Sequence, residues 1–183
     1  TFDTFDLDYY DSAPDPVTGI SPRSIMDVIY ETCVNYAERF GERSNNLFMR
    51  GGTGLGKTFL STCIAKVVSE RGFSVVYDTA ISIFSKFEEE KFSRSDDLDE
   101  VRGETNRTLS CDLLIMDDLG TEMTTAFTSS ALYMLVNTRL QRGKKTIISS
   151  NLTPAELQTR YSKQTVSRLL GEYQVLNFCG RDI

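Results

Sequence analysis

The sequence predicts an α/β domain in which a parallel sheet lies between two layers of helices. Short apolar segments of strand length alternate along the chain with longer segments whose apolar residues recur at helical spacing. Strands that alternate with helices pair in parallel and form a three-layer sandwich. The 183 residues suit one domain with a single sizeable core.

Turn residues and caps give the bounds of the predicted elements. The five predicted strands are Leu47 to Arg50, Ser74 to Tyr77, Leu113 to Met116, Thr146 to Ser149 and Val175 to Phe178. The predicted helices run from Pro22 to Gly41, Lys57 to Arg71, Thr79 to Phe92, Thr124 to Arg142, Pro154 to Tyr161 and Val166 to Leu170. Residues 1–20, aromatic and acidic with several turn residues, are predicted to be an extended arm before a folded domain of residues 21–183. The acidic stretch from Glu88 to Glu104 is interpreted as a solvated surface.

Composition excludes several kinds of chemistry. The chain contains no histidine, which removes Ser-His-Asp and Cys-His catalysis and metal sites that need imidazole. The net charge of −6 argues against a basic surface over the whole domain, so contact with nucleic acid would need a local patch or an assembled ring. Four widely spaced cysteines are predicted to be free thiols in the core: Cys33, Cys63, Cys111 and Cys179.

Neither a membrane segment nor a signal peptide is evident, because no apolar run is long enough to cross a bilayer. We therefore expect a cytoplasmic protein with no membrane contact. The chain begins with Thr1 and ends soon after the last predicted strand, so we expect a piece of a longer protein.

A glycine-rich segment between the first strand and the next helix matches the phosphate-binding pattern G-x-x-x-x-G-K-[ST]. The amide hydrogens of such a P-loop converge on phosphate oxygens, and the following helix points its positive end at the same place. Lys57 is predicted to reach the β- and γ-phosphates, and Thr58 to place its hydroxyl on Mg²⁺. The predicted nucleotide contacts are Gly51, Gly52, Thr53, Gly54, Leu55, Gly56, Lys57, Thr58 and Phe59.

Polar residues at the ends of two later strands complete the predicted site. Asp117 and Asp118 follow an apolar strand, and Asp117 is predicted to hold Mg²⁺ while Asp118 polarises the attacking water. Glu122 is a weaker candidate for the second role. Asn151 follows the next strand, where an amide can contact both the γ-phosphate and the water without adding charge. The absence of Asn-Lys-x-Asp favours ATP over GTP, and Phe2, Phe5 and Tyr10 are candidates to cover the base.

Together these motifs resemble bacterial helicase loaders of the DnaC and DnaI type and their relative IstB, the ATPase helper of transposition, all of the AAA+ class. The resemblance rests on the P-loop, on Asp112 to Glu122, on Ile148 to Leu152, on Ser167 to Leu169 and on Phe178 to Ile183. It implies that residues 21–183 form an AAA+ ATPase domain without the C-terminal helical lid of typical AAA+ proteins.

The resemblance also implies roles for single residues. Asp117 and Asp118 take the acidic-strand roles, Asn151 is the sensor, and Arg168 is an arginine finger that acts on a neighbouring subunit and so implies self-association. Most AAA+ proteins have glutamate where this chain has Asp118, whose shorter side chain reaches less far. The implied partners are single-stranded DNA and a replicative helicase, the latter bound through a domain absent from this chain.

Two clusters are candidates for contact with DNA. Lys86, Phe87, Lys91 and Phe92 interleave charge with rings, although helical spacing favours a core position for Phe87. The second cluster, Arg139, Arg142, Lys144 and Lys145, lies around a helix end, where cations also serve as partners of the helix dipole.

Three functions fit these motifs. The leading hypothesis is an ATP-hydrolysing helicase loader in DNA replication, and its nearest alternative is an IstB-like helper that selects target DNA for a transposase. The third is a P-loop phosphotransferase acting on a small molecule. That class usually needs an arginine-rich lid over the acceptor, and no such insertion is evident after the acidic strand.

Overall fold

A five-stranded parallel sheet forms the centre of the molecule. The structure is a computed structural model and describes residues 1–92 and 98–180. The strands occur in the order β2-β3-β4-β1-β5, and every pair of neighbours is parallel, as predicted. Their bounds are β1 (Asn46–Arg50), β2 (Val75–Thr79), β3 (Leu113–Leu119), β4 (Lys145–Ser150) and β5 (Tyr173–Asn177).

Helices cover both faces of the sheet, which confirms the predicted three-layer sandwich. Two helices, α1 and α2, pack on one face, and α3, α5, α6 and α7 pack on the other, with α4 against α3 and α5. The bounds are α1 (Pro22–Glu38), α2 (Lys57–Glu70), α3 (Ala80–Phe92), α4 (Leu98–Ser110), α5 (Ala126–Gln141), α6 (Pro154–Arg160) and α7 (Lys163–Gly171).

Strand β3 shows why the sheet is buried on both sides. Leu113 and Ile115 join the apolar core under α1 and α2, whereas Leu114 and Met116 join the core under α3 and α5. Successive side chains of a strand point to opposite faces, so a strand covered by helices on both sides is apolar throughout. β3 therefore carries its two aspartates out of the core only at its carboxyl end.

Helix α4 was not predicted, because we interpreted the acidic stretch that overlaps it as solvated surface. Its buried face carries threonines in place of aliphatic residues, since Thr105 and Thr108 are nearly inaccessible to solvent. Both hydroxyls are satisfied inside the helix, by the carbonyl oxygens of Val101 and Glu104 respectively. A buried face of this kind gives no apolar periodicity, so the helix was not predicted. Residues 100–104 of the acidic stretch are exposed or half-buried, in agreement with their interpretation as solvated surface. Residues 93–97 of the stretch lie outside the described residues.

The first ten residues of the arm lie against the body of the protein, whereas residues 11–20 are exposed. Two short 3-10 helices, Phe2–Thr4 and Leu7–Tyr9, lead to Tyr10, whose ring is buried in the core under α1 and α2. The Phe5 ring stacks on Tyr30 of α1, with ring centroids 5.3 Å apart. The arm is thus packed on α1 close to the P-loop.

No helix follows β5 within the described residues 178–180. Residues 181–183 of the last resemblance motif lie outside the described residues. Among the described helices, none is both long enough and apolar enough to cross a bilayer.

Candidate functional site

The strand order brings three polar strand ends together. Strand β4 lies between β1, which leads into the P-loop, and β3, which carries the two aspartates. All three run in the same direction, so their carboxyl ends meet at one edge of the sheet. Asn151, directly after β4, therefore lies between the P-loop and the acidic pair, as a contact to both phosphate and water requires.

Lys57 closes the P-loop on itself. Its Nζ donates hydrogen bonds to the carbonyl oxygens of Gly51, at 2.8 Å, and Gly52, at 2.5 Å. Burial lowers the pKa of Lys57, and the carboxylates of Asp118 and Asp117 oppose that shift. The buried ammonium group is thus already held within the loop where phosphate groups would lie.

Two glycines of the P-loop cannot be replaced without rearrangement. A Cβ on Gly51 would lie 2.5 Å from the carbonyl oxygen of Phe178, because the end of β5 passes directly over the start of the loop. Gly56 has a φ of 86°, a conformation that side chains disfavour, and lies against Phe5 and Tyr10 of the arm. The sequence pattern therefore reflects close packing as well as phosphate binding.

The arm and the P-loop enclose a cavity of about 230 Å³. The Tyr10 hydroxyl donates to the carbonyl oxygen of Leu55 at 3.0 Å, which fastens the arm to the loop. The ring of Phe59, the residue after the P-loop motif, lies 5.7 Å from that of Phe5. Aromatic rings thus line a cavity next to the phosphate loop. Its lining includes Phe5, Tyr9, Tyr10, Gly54, Gly56 and Phe59.

Asp117 is held by hydroxyl groups from three elements. Its Oδ2 accepts hydrogen bonds from Thr58 of α2 at 2.9 Å and from Tyr77 of β2 at 2.7 Å. Its Oδ1 accepts one from Ser149 of β4. The residue is almost fully buried, so these contacts fix the direction of the carboxylate.

Asp118 occupies a strained position at a break in the β3–β4 ladder. Its φ is 56°, and the register between the strands shifts from Met116 to Leu119. Its backbone N–H donates to the hydroxyl of Ser149 at 2.9 Å. Burial, with the neighbouring Asp117 carboxylate, raises the pKa of Asp118, and Lys57 opposes this shift. The Asp118 carboxylate is thus close enough to Lys57 for each group to affect the pKa of the other.

These residues fit a magnesium–nucleotide complex. Thr58 and Asp117 present hard oxygen atoms to one point, which suits Mg²⁺, a cation that keeps several waters and takes further ligands from phosphate. Among the described residues, no group of three or more cysteine, aspartate or glutamate side chains could hold a metal without a phosphate ligand. A metal here would therefore be held jointly by Thr58, Asp117 and the nucleotide.

The predicted sensor and finger differ in position. Asn151 is exposed, and it follows Ser150, whose carbonyl oxygen accepts from the N–H of Gly51 at 3.2 Å. Arg168 lies on α7, on the face of the sheet opposite α2, with its guanidinium 6.0 Å from the centre of the Tyr133 ring. The backbone before Asn151 thus adjoins the start of the P-loop, whereas Arg168 lies on the side of the sheet away from the P-loop helix of its own chain.

Glu122, the weaker candidate for polarising the attacking water, makes hydrogen bonds in the interior of the protein. The carboxylate is buried and accepts hydrogen bonds from the N–H of Gly120 and from the hydroxyl of Tyr161. Arg160 donates to the carbonyl oxygen of Gly120 in the same loop. Glu122 therefore fastens the loop after β3 to the end of α6.

The structure corrects one of the predicted cations. Arg139 is fully buried, and its guanidinium donates to the backbone carbonyl oxygens of Thr108, Cys111 and Lys145, so it cannot contact DNA. Lys144 pairs with Asp112, and Lys86 pairs with Asp78 and Glu104, at partly exposed positions. Arg142 and Lys91 are exposed, and Lys145 is half-buried. Phe87 is buried, as its helical spacing indicated.

A family model described as IstB-like ATP binding protein matches residues 31–171. The chain belongs to this IstB-like family. The IstB-like chain is also 27% identical to the chromosomal replication initiator protein DnaA of Thermomicrobium roseum. The match extends over 176 residues and covers 88% of this chain and 37% of that protein. It therefore spans little more than a third of the length of this curated relative.

Solved structures share the fold. A replication initiator DnaA bound to AMPPCP and single-stranded DNA is 26% identical, has a TM-score of 0.68 and covers 82% of this chain and 45% of its own. A DnaC helicase loader is 20% identical with a TM-score of 0.72, and the likeness covers 96% of this chain and 97% of the loader. The IstB-like chain thus has the AAA+ P-loop fold that the resemblance implies.

Sequence reasoning missed the hydroxyl groups around Asp117. Ser149 stands two residues before Asn151, and Tyr77 ends a segment predicted only as a strand. Their contacts join positions 32 and 40 residues from Asp117. A signal existed for Ser149, because a fully buried strand rarely carries two consecutive serines without a hydrogen-bonding role.

Proposed function

We propose that this chain binds ATP with Mg²⁺ and hydrolyses it as the AAA+ module of a replicative helicase loader that acts on single-stranded DNA. The observation that carries the proposal is the convergence of Lys57, Thr58, Asp117 and Asp118 at one sheet edge. Membership of an ATP-binding family supports the nucleotide, and the likeness to a DnaA bound to AMPPCP and single-stranded DNA supports the polymer.

In this mechanism the P-loop amides and Lys57 bind the phosphates, and Thr58 with Asp117 holds the metal, which supplies charge neutralisation on the phosphate oxygens. Asp118 accepts a hydrogen bond from the attacking water and then its proton. Asn151 orients the same water from the neighbouring strand. The rings that line the cavity beside the loop, Phe5 and Phe59 among them, enclose the adenine base.

We place the contact with single-stranded DNA at the groove between α3, α4 and α5. The groove, with a volume of about 450 Å³, is lined by Lys91, Arg102 and Phe127. The Lys91 ammonium lies 5.2 Å from the centre of the Phe127 ring and 5.4 Å from that of Phe92, whose side chain is exposed. Cations beside exposed rings can bind phosphates and stack bases.

Lys91→Ala combined with Phe92→Ala tests this placement. Loss of one stacking ring and one phosphate contact should weaken binding of an oligothymidylate by roughly tenfold or more. Lys66→Ala is the matched control, because Lys66 is an exposed cation on α2, on the other face of the sheet. Equal affinities of the double variant, Lys66→Ala and the unaltered protein would show that single-stranded DNA does not bind in this groove.

Phosphate release from Mg-ATP, with and without single-stranded DNA and with no acceptor metabolite, tests the activity itself. A loader-like ATPase turns over under these conditions, whereas a small-molecule phosphotransferase does not.

The family match also supports the second candidate, an IstB-like helper that selects target DNA for a transposase. Stimulation by single-stranded DNA and capture of a replicative helicase favour the loader; stimulation by duplex DNA and capture of a transposase favour the helper.

We also propose that the chain assembles with copies of itself and with a helicase in the cytoplasm. Arg168, remote from the P-loop of its own chain, would complete the site of a neighbouring subunit. The replicative helicase would be bound through a segment outside residues 21–183, and the protein would work in the cytoplasm. The arm of residues 1–20 would belong functionally to the nucleotide site.

A further inference from the structure

Tyr77 lies beside the metal-side carboxylate, on the edge strand β2. Its hydroxyl is 2.7 Å from Oδ2 of Asp117 and 3.2 Å from Oγ of Ser61 on α2. Strand β4 supplies Ser149 to the other carboxylate oxygen. The carboxylate is therefore held from both neighbouring strands, and Tyr77 closes the side that faces the sheet edge.

The two donors to Oδ2 of Asp117, Thr58 and Tyr77, differ in whether they also ligate Mg²⁺ when a nucleotide binds. A hydroxyl oxygen ligates a metal through a lone pair, so Thr58 can still donate its hydrogen to Asp117, but the metal then also determines the position of that hydroxyl. Tyr77 belongs to a different element and has no metal to ligate. Its hydrogen bond therefore fixes the direction of Oδ2 independently of the metal.

This direction matters because the terminal torsion of aspartate is broad and two-fold, so a carboxylate without partners can rotate with little cost. Partners of metal-side groups fix their orientation, and loss of such a partner commonly costs tenfold to a hundredfold in metal affinity. The ordinary pKa of a tyrosine is about 10, so the Tyr77 hydroxyl is protonated and can donate throughout the neutral range.

We propose that Tyr77 is a positioning residue for Mg²⁺ binding, which it supports by holding the Asp117 carboxylate in the direction that the metal and its waters require. The inference rests on the proposed function, since it assigns a role within the magnesium–nucleotide site. It adds a residue of β2 to a site otherwise built from the P-loop, β3 and β4.

Tyr77→Phe is the direct test, because it removes the hydroxyl and keeps the ring. Calorimetry would measure binding of the non-hydrolysable analogue AMPPCP to the full chain, first in EDTA and then at increasing Mg²⁺. We expect unchanged affinity in EDTA, and on the order of tenfold more Mg²⁺ to reach half of the metal-dependent gain. In hydrolysis, the half-saturating Mg²⁺ should rise by the same factor while kcat at saturating Mg²⁺ stays close to that of the unaltered protein.

Tyr36→Phe is the matched control, because the Tyr36 hydroxyl is buried on α1 without a hydrogen-bond partner among the described residues. Its Mg²⁺ dependence should equal that of the unaltered protein. An unchanged Mg²⁺ dependence in Tyr77→Phe overturns the inference, and so does an equal loss of affinity with and without Mg²⁺ together with a lowered melting temperature. Failure of the unaltered protein to bind AMPPCP more tightly with Mg²⁺ instead overturns the proposed function.

Discussion

Thr58 donates a hydrogen bond to Oδ2 of Asp117 over 2.9 Å, although 59 residues separate them in the chain. The contact joins the P-loop helix to β3, a strand that is not adjacent to the P-loop strand in the sheet. Two hard oxygen atoms thus meet beside the phosphate loop, where a magnesium–nucleotide complex needs them.

Asp118→Asn should separate binding from hydrolysis. In the proposed mechanism Thr58 and Asp117 hold the metal, so we expect affinity for Mg-ATP to remain close to that of the unaltered protein. An amide cannot take the proton of the water, and hydrolysis should fall by about a hundredfold or more. Calorimetry and phosphate release measure the two effects. If Asp118→Asn instead loses affinity for Mg-ATP while the bound fraction is hydrolysed at the normal rate, Asp118 holds the metal and Asp117 acts on the water.

The same residue predicts a pH dependence. Burial and the nearby Asp117 raise the pKa of Asp118 above the usual value for aspartate. The deprotonated form is the active one, so hydrolysis should be present above this pKa and lost as the pH falls through it. The acid limb of the kcat/KM profile, which reports the protein before Mg-ATP binds, should lie at a higher pH than an ordinary aspartate gives and should be absent from the residual activity of Asp118→Asn. An identical limb in the variant would assign it to another group.

Glu122 should matter for stability and not for the chemical step. Tyr161→Phe removes a donor and leaves a buried carboxylate oxygen with one partner fewer. We expect the free energy of unfolding in urea to fall by about 1–3 kcal/mol, with turnover per folded molecule unchanged. Glu122→Gln, in which the side chain keeps its size, serves as the companion variant. A steep loss of hydrolysis in Glu122→Gln at full stability would make Glu122 the residue that activates water.

Arg139 should prove to be a structural residue. Arg139→Met leaves the carbonyl oxygens of Thr108, Cys111 and Lys145 without this donor in the interior. We expect a loss of more than about 3 kcal/mol in the free energy of unfolding. Arg142→Met, an exposed control three residues on, should change it by less than about 0.5 kcal/mol. Equal stability of the two variants would refute the role assigned to Arg139.

Arg168→Ala tests assembly. Binding of ATP should stay near normal, because Arg168 lies on the opposite face of the sheet from α2. Assembly-dependent hydrolysis should fall by on the order of a thousandfold, as for fingers supplied by a partner. A mixture with Lys57→Ala subunits should regain part of the rate, since one variant keeps the site and the other keeps the finger. Turnover per site that is independent of protein concentration, with no recovery on mixing, would exclude a shared site.

Sequence patterns predicted the elements that depend on local periodicity and turn residues. Every strand was placed within a few residues, and the P-loop lies between β1 and α2 as the motif requires. Helix α4 was missed because its inward face is built from Thr105 and Thr108, which count as polar in any periodicity. Self-satisfied hydroxyls can occupy buried positions that the pattern assigns to solvent.

The candidate site was predictable only where a motif carries it. Lys57, Thr58 and Asp117 follow from local patterns, whereas Tyr77 and Ser149 reach Asp117 through the order of strands in the sheet. We predicted a surface position for Arg139 because arginine is charged. In the structure its guanidinium group instead donates to three backbone carbonyl oxygens and to the Thr146 hydroxyl in the interior. Strand order and burial are properties of the whole fold, and no single segment encodes them.

The affinity of the full chain for ATP with and without the Lys57 side chain tests the central claim most directly. Lys57→Ala should weaken binding of ATP by at least about tenfold, because it removes a charged donor to phosphate. It should also abolish phosphate release and leave the melting temperature without nucleotide nearly unchanged, since Gly52 is exposed and Gly51 half-buried, so water can replace the ammonium group at their carbonyl oxygens. Lys66→Ala, nine residues on in α2 and exposed, should match the unaltered protein. Equal ATP affinity of Lys57→Ala and the unaltered protein would contradict the assignment of this loop as the nucleotide site.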